Sequence, residues 1–415
     1  MEDVNNRSSL AQSEASAFGN RSGYRWIILT LMFFLQASAS MAVFSFGPLA
    51  PFIQDSLGIT RAQVGMFSSA IYLGMVLFGT HAGWLTDKFG IRLFLIGGPG
   101  VMGLVFLSLA LTRSFIPALL IVFISGIGYQ FINPTTVKTI TQWFPPRMRG
   151  TAIGIKQSGI SFGGAVAAAI LPIIALSWGW RGGVIGIGVI TLVVVIFCQL
   201  LYRENETEAE TAKSTLVTIK DLGQIATNRN ILLQSAVGVM YCVPSVVLST
   251  YLVLYLKETL SIPVVIAGTC LMVSQFGTVG GRVLWGVVSD RFFGGKRKGT
   301  MIIMGILIAV MSVLTIFISP GISRWLVYII FAVFGFSVGI HGVHVTFLAE
   351  LAGKKMAATG VGFGAAMSAL GMVIATPVFG YIVDKTDSYR MAWIFLAILG
   401  VIGTILASLV HEEKE

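Results

Sequence analysis

Lys138, Lys156 and Arg282 stand inside stretches that are otherwise apolar for about 20 residues, and none of these stretches carries an acid in its middle to neutralise them. A charge near the centre of a bilayer costs roughly 2.5–3.5 kcal/mol on insertion scales, so such a side chain marks a site until a structural partner accounts for it. Cations without acids point to an anion as the missing partner. Arg282 offers a planar fork for two oxygens of a carboxylate or sulfonate, and Lys156 offers a compact charge whose protonation answers to hydration and to a bound anion. Arg282 precedes Asp290 by eight residues, about 12 Å of helix, which is close to the middle of a core about 30 Å thick. Lys156 lies seven residues past Arg149, about 10 Å in. Lys138 lies only five residues before Trp143, about 8 Å from the face, so it can either join the site or snorkel out of it.

Polar and aromatic side chains that could complete an anion pocket are Tyr129, Gln130, Asn133, Thr135, Gln157, Tyr241 and Gln275. Within Asn133-Pro134 the proline removes a helix hydrogen bond and frees a carbonyl that a cavity can use. His341 and His344, three apart on one helix face, are the candidate proton carriers, because all 18 acids fall in tails, loops or helix ends. An exchanger would need no such carrier, since unpaired cations make an empty site costly to close. No cofactor is expected. Cys198, Cys242 and Cys270 have no metal-ligand spacing, and no nucleophile or phosphate-binding loop marks an enzyme.

With 55% hydrophobic and only 11% charged residues, the chain would give a soluble domain more apolar surface than it could cover. The lipid bilayer is the expected surroundings. The apolar runs are continuous rather than alternating, so the expected class is an all-α membrane protein with about twelve transmembrane helices. The expected organisation is a cytoplasmic tail at 1–23, a six-helix half at 24–202, a polar linker at 203–230, a second six-helix half at 231–410 and a short tail at 411–415. The first span is expected at 24–46 and the tenth and eleventh at 324–350 and 355–383. Most of the 28 Lys and Arg fall on the side of the termini, which sets both termini in the cytoplasm of a cell inner membrane. The net charge of +10 is then a matter of topology and gives no reason to expect nucleic acid as a partner. A monomer is expected.

The halves repeat each other. Gly83-Trp-Leu-Thr-Asp87-Lys88 is echoed by Gly286-Val-Val-Ser-Asp290-Arg291, and Arg181 by Arg390, at offsets of 203 and 209 residues. Gly83 to Arg92 and its echo resemble the paired loop pattern of the major facilitator superfamily. That resemblance implies the fold of two six-helix repeats, alternating access, and a gating role for Asp87, Lys88, Arg92, Asp290 and Arg291 in holding the ends of the halves together. The segment Trp143 to Gly159, containing Lys156, looks like bacterial anion carriers of the cyanate-permease, nitrate-porter-like and organic anion symporter groups. Ser274-Gln275-Phe-Gly277 leading to Arg282 resembles the placement of the anion-binding arginine in nitrate porters and monocarboxylate transporters. Gly79 stands where the nitrate pattern has a second arginine, which puts organic acids ahead of nitrate. The resemblance therefore implies a secondary carrier of a small organic anion, and uptake together with protons is the expected mode. The alternatives are an anion exchanger or a proton-driven exporter of drugs or other amphiphiles.

Overall fold

The computed structural model describes residues 23–203, 223–225 and 227–412. The tail at 1–22 and most of the expected linker at 203–230 lie outside the described residues. Eleven stretches among the described residues are long and apolar enough to cross a membrane. The longest, Arg147–Leu201, turns at Gly179, whose φ of 67° lies in the left-handed region that glycine tolerates, so it supplies two spans and makes twelve in all. Spans 1 to 4 run Tyr24–Leu57, Arg61–Phe89, Ile91–Leu109 and Phe115–Trp143, and spans 5 and 6 are the two arms of Pro146–Leu201. Spans 7 to 9 run Arg229–Leu260, Val264–Phe292 and Lys298–Ile316, followed by span 10 at Arg324–Gly353, span 11 at Thr359–Thr386 and span 12 at Tyr389–Leu409.

Span 1 continues to Leu57, well past the expected end at 46. Its helix breaks after Val43 and restarts at Phe46, so Pro48 falls in a first turn, where a missing N–H breaks no helix bond. Span 2 begins with a capping box, in which Thr60 accepts from the Gln63 amide and the Gln63 side chain accepts from the Thr60 amide. Asn228 caps span 7 by accepting from the amides of Asn230 and Ile231.

Spans 4 and 10 are both broken near their middles. One pauses at Phe131, the other across 338–340. Asn133 and His341, just after the two breaks, are 208 residues apart, within the repeat offset of the sequence landmarks. Glycine sets how closely neighbouring helices pack: a Cβ on Gly339 of span 10 would lie 2.7 Å from the backbone nitrogen of Arg282 on span 8. That contact fixes the arginine's backbone against the break in span 10.

The two halves are tied together at one end of the molecule. Arg61 Nε donates to Glu258 at 2.9 Å and Nη1 lies 3.5 Å from Asp384, while Lys257 pairs with Asp55 at 3.2 Å. Asp384 also accepts from the backbone amides of Arg61 and Ala62 at 3.1 and 2.8 Å, so a carboxylate of one half caps a helix of the other. Below this latch the Ser68 and Thr250 hydroxyls meet at 2.8 Å, and Ser69 donates to the Val373 carbonyl at 2.6 Å. At the opposite end, among the described residues, every ion pair stays within one half: Asp87 with Lys138 at 2.7 Å, and Arg297 with Asp290 at 2.6 Å and Glu350 at 3.2 Å.

Candidate functional site

Lys156 is fully buried, and its Nζ donates to Asn133 Oδ1 at 2.7 Å and to Gln157 Oε1 at 3.4 Å. Gln157 Nε2 reaches the same Asn133 oxygen at 3.4 Å. The break of span 4 presents Asn133 to span 5. Thr135, expected in the pocket, instead donates back to the carbonyls of Phe131 and Ile132 of its own span at 2.6 and 3.1 Å. The lysine is therefore held by neutral oxygens alone. These hydrogen bonds fix its position but leave its charge without a counter-ion.

Arg282 stands on the other half. Its Nη1 donates to Ser161 Oγ of span 5 at 3.2 Å, a polar contact between the halves away from the latch, and its Nε is buried without a hydrogen-bond partner. The neighbours within its electrostatic reach are Tyr72, Tyr129, Cys242 and His341, none of them a carboxylate. Tyr129 lies four residues before Asn133 on span 4, on the other side of the pause at Phe131, so Arg282 and Lys156 each have a neighbour on that span. The Tyr129 hydroxyl is oriented by Gln36 Nε2 at 3.0 Å and by Ser40 at 3.3 Å. Gln275 sits two turns from Arg282, against Gly164, with its buried Nε2 unpartnered. Donors without acceptors thus line the seam between the halves, which is the arrangement an anion completes.

The two histidines face different surroundings. His341 is exposed and lies within electrostatic reach of Arg282 and His344. His344 is buried, its Nδ1 3.0 Å from Gln234 Nε2. Two expected pocket residues are not brought to the cations. Lys138 forms the ion pair with Asp87, because its position near the helix end lets it snorkel to the face. Tyr241 donates to the Met301 carbonyl at 3.0 Å inside the second half, wedged against Gly305 and Gly403. The expected gate residues do not bridge the halves in this conformation: Asp87 and Asp290 pair within their own halves, Lys88 lies over the Trp84 ring at 4.9 Å, and Arg92 and Arg291 are exposed. Sequence reading missed Gln36, Tyr72 and Ser161, whose polarity is ordinary in a membrane helix. It also missed the Arg61 latch, whose partners lie about 200 and 320 residues away in the chain.

Twelve spans in two repeat-related halves, latched at one end and meeting at buried cations, define a polytopic membrane carrier. The chain belongs to the Major Facilitator Superfamily, whose sequence profile matches residues 32–350, and it is a transporter rather than an enzyme. It is 27% identical to the probable sulfoacetate transporter SauU of Cupriavidus necator, a match covering 91% of this chain and 92% of that one. It is 31% identical to the hexuronate transporter of Bacillus subtilis over 38% of each chain. Its fold matches the crystal structure of a bacterial homologue of the human lysosomal transporter Spinster with a TM-score of 0.76, at 17% identity and covering 93% of this chain and 97% of that one.

Proposed function

We propose that this protein carries a small organic anion, a carboxylate, sugar acid or sulfonate, by alternating access, with proton-coupled uptake across a cytoplasmic membrane. The observation that carries the reading is the pair of buried cations on opposite halves, Lys156 and Arg282, each held by neutral groups only. An anion between them would neutralise both and draw the halves together, so binding and closure favour each other. Arg282 clamps one acid group through its fork; Lys156, Asn133 and Gln157 receive a second acid group or hydroxyls, and Tyr129 and Gln275 supply further hydrogen bonds. The names of the relatives, a probable sulfoacetate transporter and a hexuronate transporter, fit that substrate class.

The excess of Lys and Arg on the side of the termini supports cytoplasmic termini, with six-helix halves at 24–202 and 231–410. In that orientation the Arg61 latch closes the outer end of the molecule. His341, beside Arg282, is the residue through which proton entry and anion binding sense each other. Asp87, Lys88, Arg92, Asp290 and Arg291 then tie the cytoplasmic ends in the outward-open state, and the carrier works as a monomer.

The test is uptake into proteoliposomes of a labelled panel of carboxylates, sugar acids and sulfonates, with and without an inward proton gradient. Uptake accelerated by the gradient is the expected result. Uptake that requires preloaded anion identifies exchange instead, and no transport of any anion overturns the substrate class.

A further inference from the structure

A cavity of about 380 Å³, the size of a small-ligand site, lies at the latch end of the N-terminal half. Asp55 and Ser56 of span 1 line it together with Trp178, Trp180 and Arg181 at the turn between spans 5 and 6. Arg181 is the repeat counterpart of Arg390, and nothing in the transport cycle proposed above uses it. Its guanidinium is tied in place by neutral oxygens: Nε donates to the Ala110 carbonyl at 3.1 Å, Nη2 to the Thr112 carbonyl at 2.8 Å and Nη1 to Ser56 Oγ at 3.2 Å. Two of its five N–H groups remain, and no carboxylate pairs with it among the described residues. The same guanidinium lies over the Trp180 ring, 4.6 Å from the centroid. Trp180 is only 3% exposed, and its Nε1–H is buried without an acceptor. A fixed cation beside an orphaned donor calls for an oxyanion.

The repeat indicates what else is missing. Asp55 and Glu258 stand near the ends of spans 1 and 7 at the offset of 203 residues that also relates Asp87 to Asp290. Trp180 and Tyr389 precede the paired arginines at the offset of 209. In the C-terminal half these positions are joined, since Tyr389 donates to Glu258 at 2.7 Å and Arg61 Nε donates to the same carboxylate at 2.9 Å. In the N-terminal half the Trp180 N–H has no acceptor, and the exposed Asp55 meets Lys257 through Oδ2 at 3.2 Å. The cavity lies between the positions that the other half joins with its own side chains. An occupant that accepts from Trp180 and donates to Asp55 would complete the same arrangement.

The surroundings are those of a bilayer surface. Leu176, near the end of span 5, is 63% exposed on an apolar helix, and Trp178, which lines the cavity, is 76% exposed, as an indole is at a membrane–water interface. A lipid headgroup is presented at that depth by its own chains.

We propose that this cavity binds the headgroup of a zwitterionic phospholipid that carries a primary ammonium. The phosphodiester accepts from Arg181 and the Trp180 indole, and the ammonium donates to the other carboxylate oxygen of Asp55. Phosphodiester oxygens suit the guanidinium fork, and a primary ammonium has N–H groups for a carboxylate where a trimethylated one has none. Every lining residue belongs to one half, so movement of one half against the other leaves the site intact.

The test is native mass spectrometry of the full-length protein in detergent, titrated with phosphatidylethanolamine, phosphatidylcholine and phosphatidylglycerol of matched chains. Phosphatidylethanolamine is expected to bind about five- to tenfold more tightly than either of the others. Asp55→Asn is expected to erase that preference while leaving phosphatidylglycerol binding within about twofold, and Trp180→Phe to weaken all three lipids by about threefold. Lys257→Gln removes the same ion pair from the other half and is expected to keep the preference. Equal or reversed preference in the wild type, a preference that survives Asp55→Asn, or its loss in Lys257→Gln overturns the proposal. So does displacement of the lipid by millimolar inorganic phosphate, which would make this a site for a free oxyanion. Should Trp180→Phe not fold, the exposed, isosteric Asp55→Asn decides alone.

Discussion

Arg282 and Lys156 differ in what their neighbours leave undone, and that difference sets what substitution does. Arg282 has a free Nε and a single neutral acceptor, Ser161, so its fork is available to a ligand. Arg282→Lys keeps the charge but removes the bidentate geometry; the expected loss is about 2–3 kcal/mol of transition-state binding, or about 10²-fold in uptake kcat/KM, with the protein still folded in detergent. Wild-type uptake by this variant would remove Arg282 from the site. Lys156 is a buried charge held only by Asn133 and Gln157, so Lys156→Met is expected to abolish uptake while raising Tm by about 2–4 °C. Gln157 Nε2 remains to serve the Asn133 oxygen in that variant. A fall in Tm would mean the lysine is structural. The positions of both cations were legible in the sequence because charge in an apolar run is rare. The fate of Lys138 was not, because whether a lysine near a helix end snorkels depends on which acid the fold brings beside it, here Asp87.

Helix breaks and glycine contacts decide which polar residues meet. Span 4 exposes Asn133 just after its break, and span 10 starts again at His341 just after its own, so the same local event in each repeat delivers one polar group to the seam. The proline of span 4 was readable as a break; span 10 has no proline there, and its break at 338–340 lies where Gly339 packs against the Arg282 backbone. Gly339→Val is therefore expected to push span 8 from span 10 and displace Arg282. The expected cost is about 1–3 kcal/mol of stability, with uptake falling further than stability alone explains, measured as Tm and initial rate on the same preparation. Equal Tm and uptake to wild type would show that the contact is slack. Tyr241 illustrates the limit of one-residue reading: its helix was placed, but helix rotation turned the phenol toward Met301 rather than toward the cations. Rotation about a helix axis leaves little trace in a sequence that is apolar on nearly every face.

At the scale of the whole molecule, the repeat and the count of twelve spans were legible because length and hydropathy fix them, whereas the state of the carrier depends on contacts between residues far apart in the chain. The latch around Arg61 closes one end with contacts to Glu258 and Asp384, a carboxylate capping span 2 from the other half, and hydroxyl contacts below. Each exposed ion pair is worth only about 0.2–1 kcal/mol, so the latch can hold a state without trapping it. The proposed alternating access requires Ser68 and Thr250, now 2.8 Å apart, to separate. Ser68→Cys with Thr250→Cys is expected to form a disulfide under mild oxidation that lowers uptake by about tenfold or more and is reversed by reductant. The native Cys198, Cys242 and Cys270 are buried and leave the background quiet. In Ser68→Cys alone, maleimide labelling from the latched side is expected to be slow, and adding Arg61→Ala should speed it several-fold by shifting the population toward the open latch. Full uptake by the oxidised double variant would mean that this end never opens during transport and that the halves do not alternate about the buried cations.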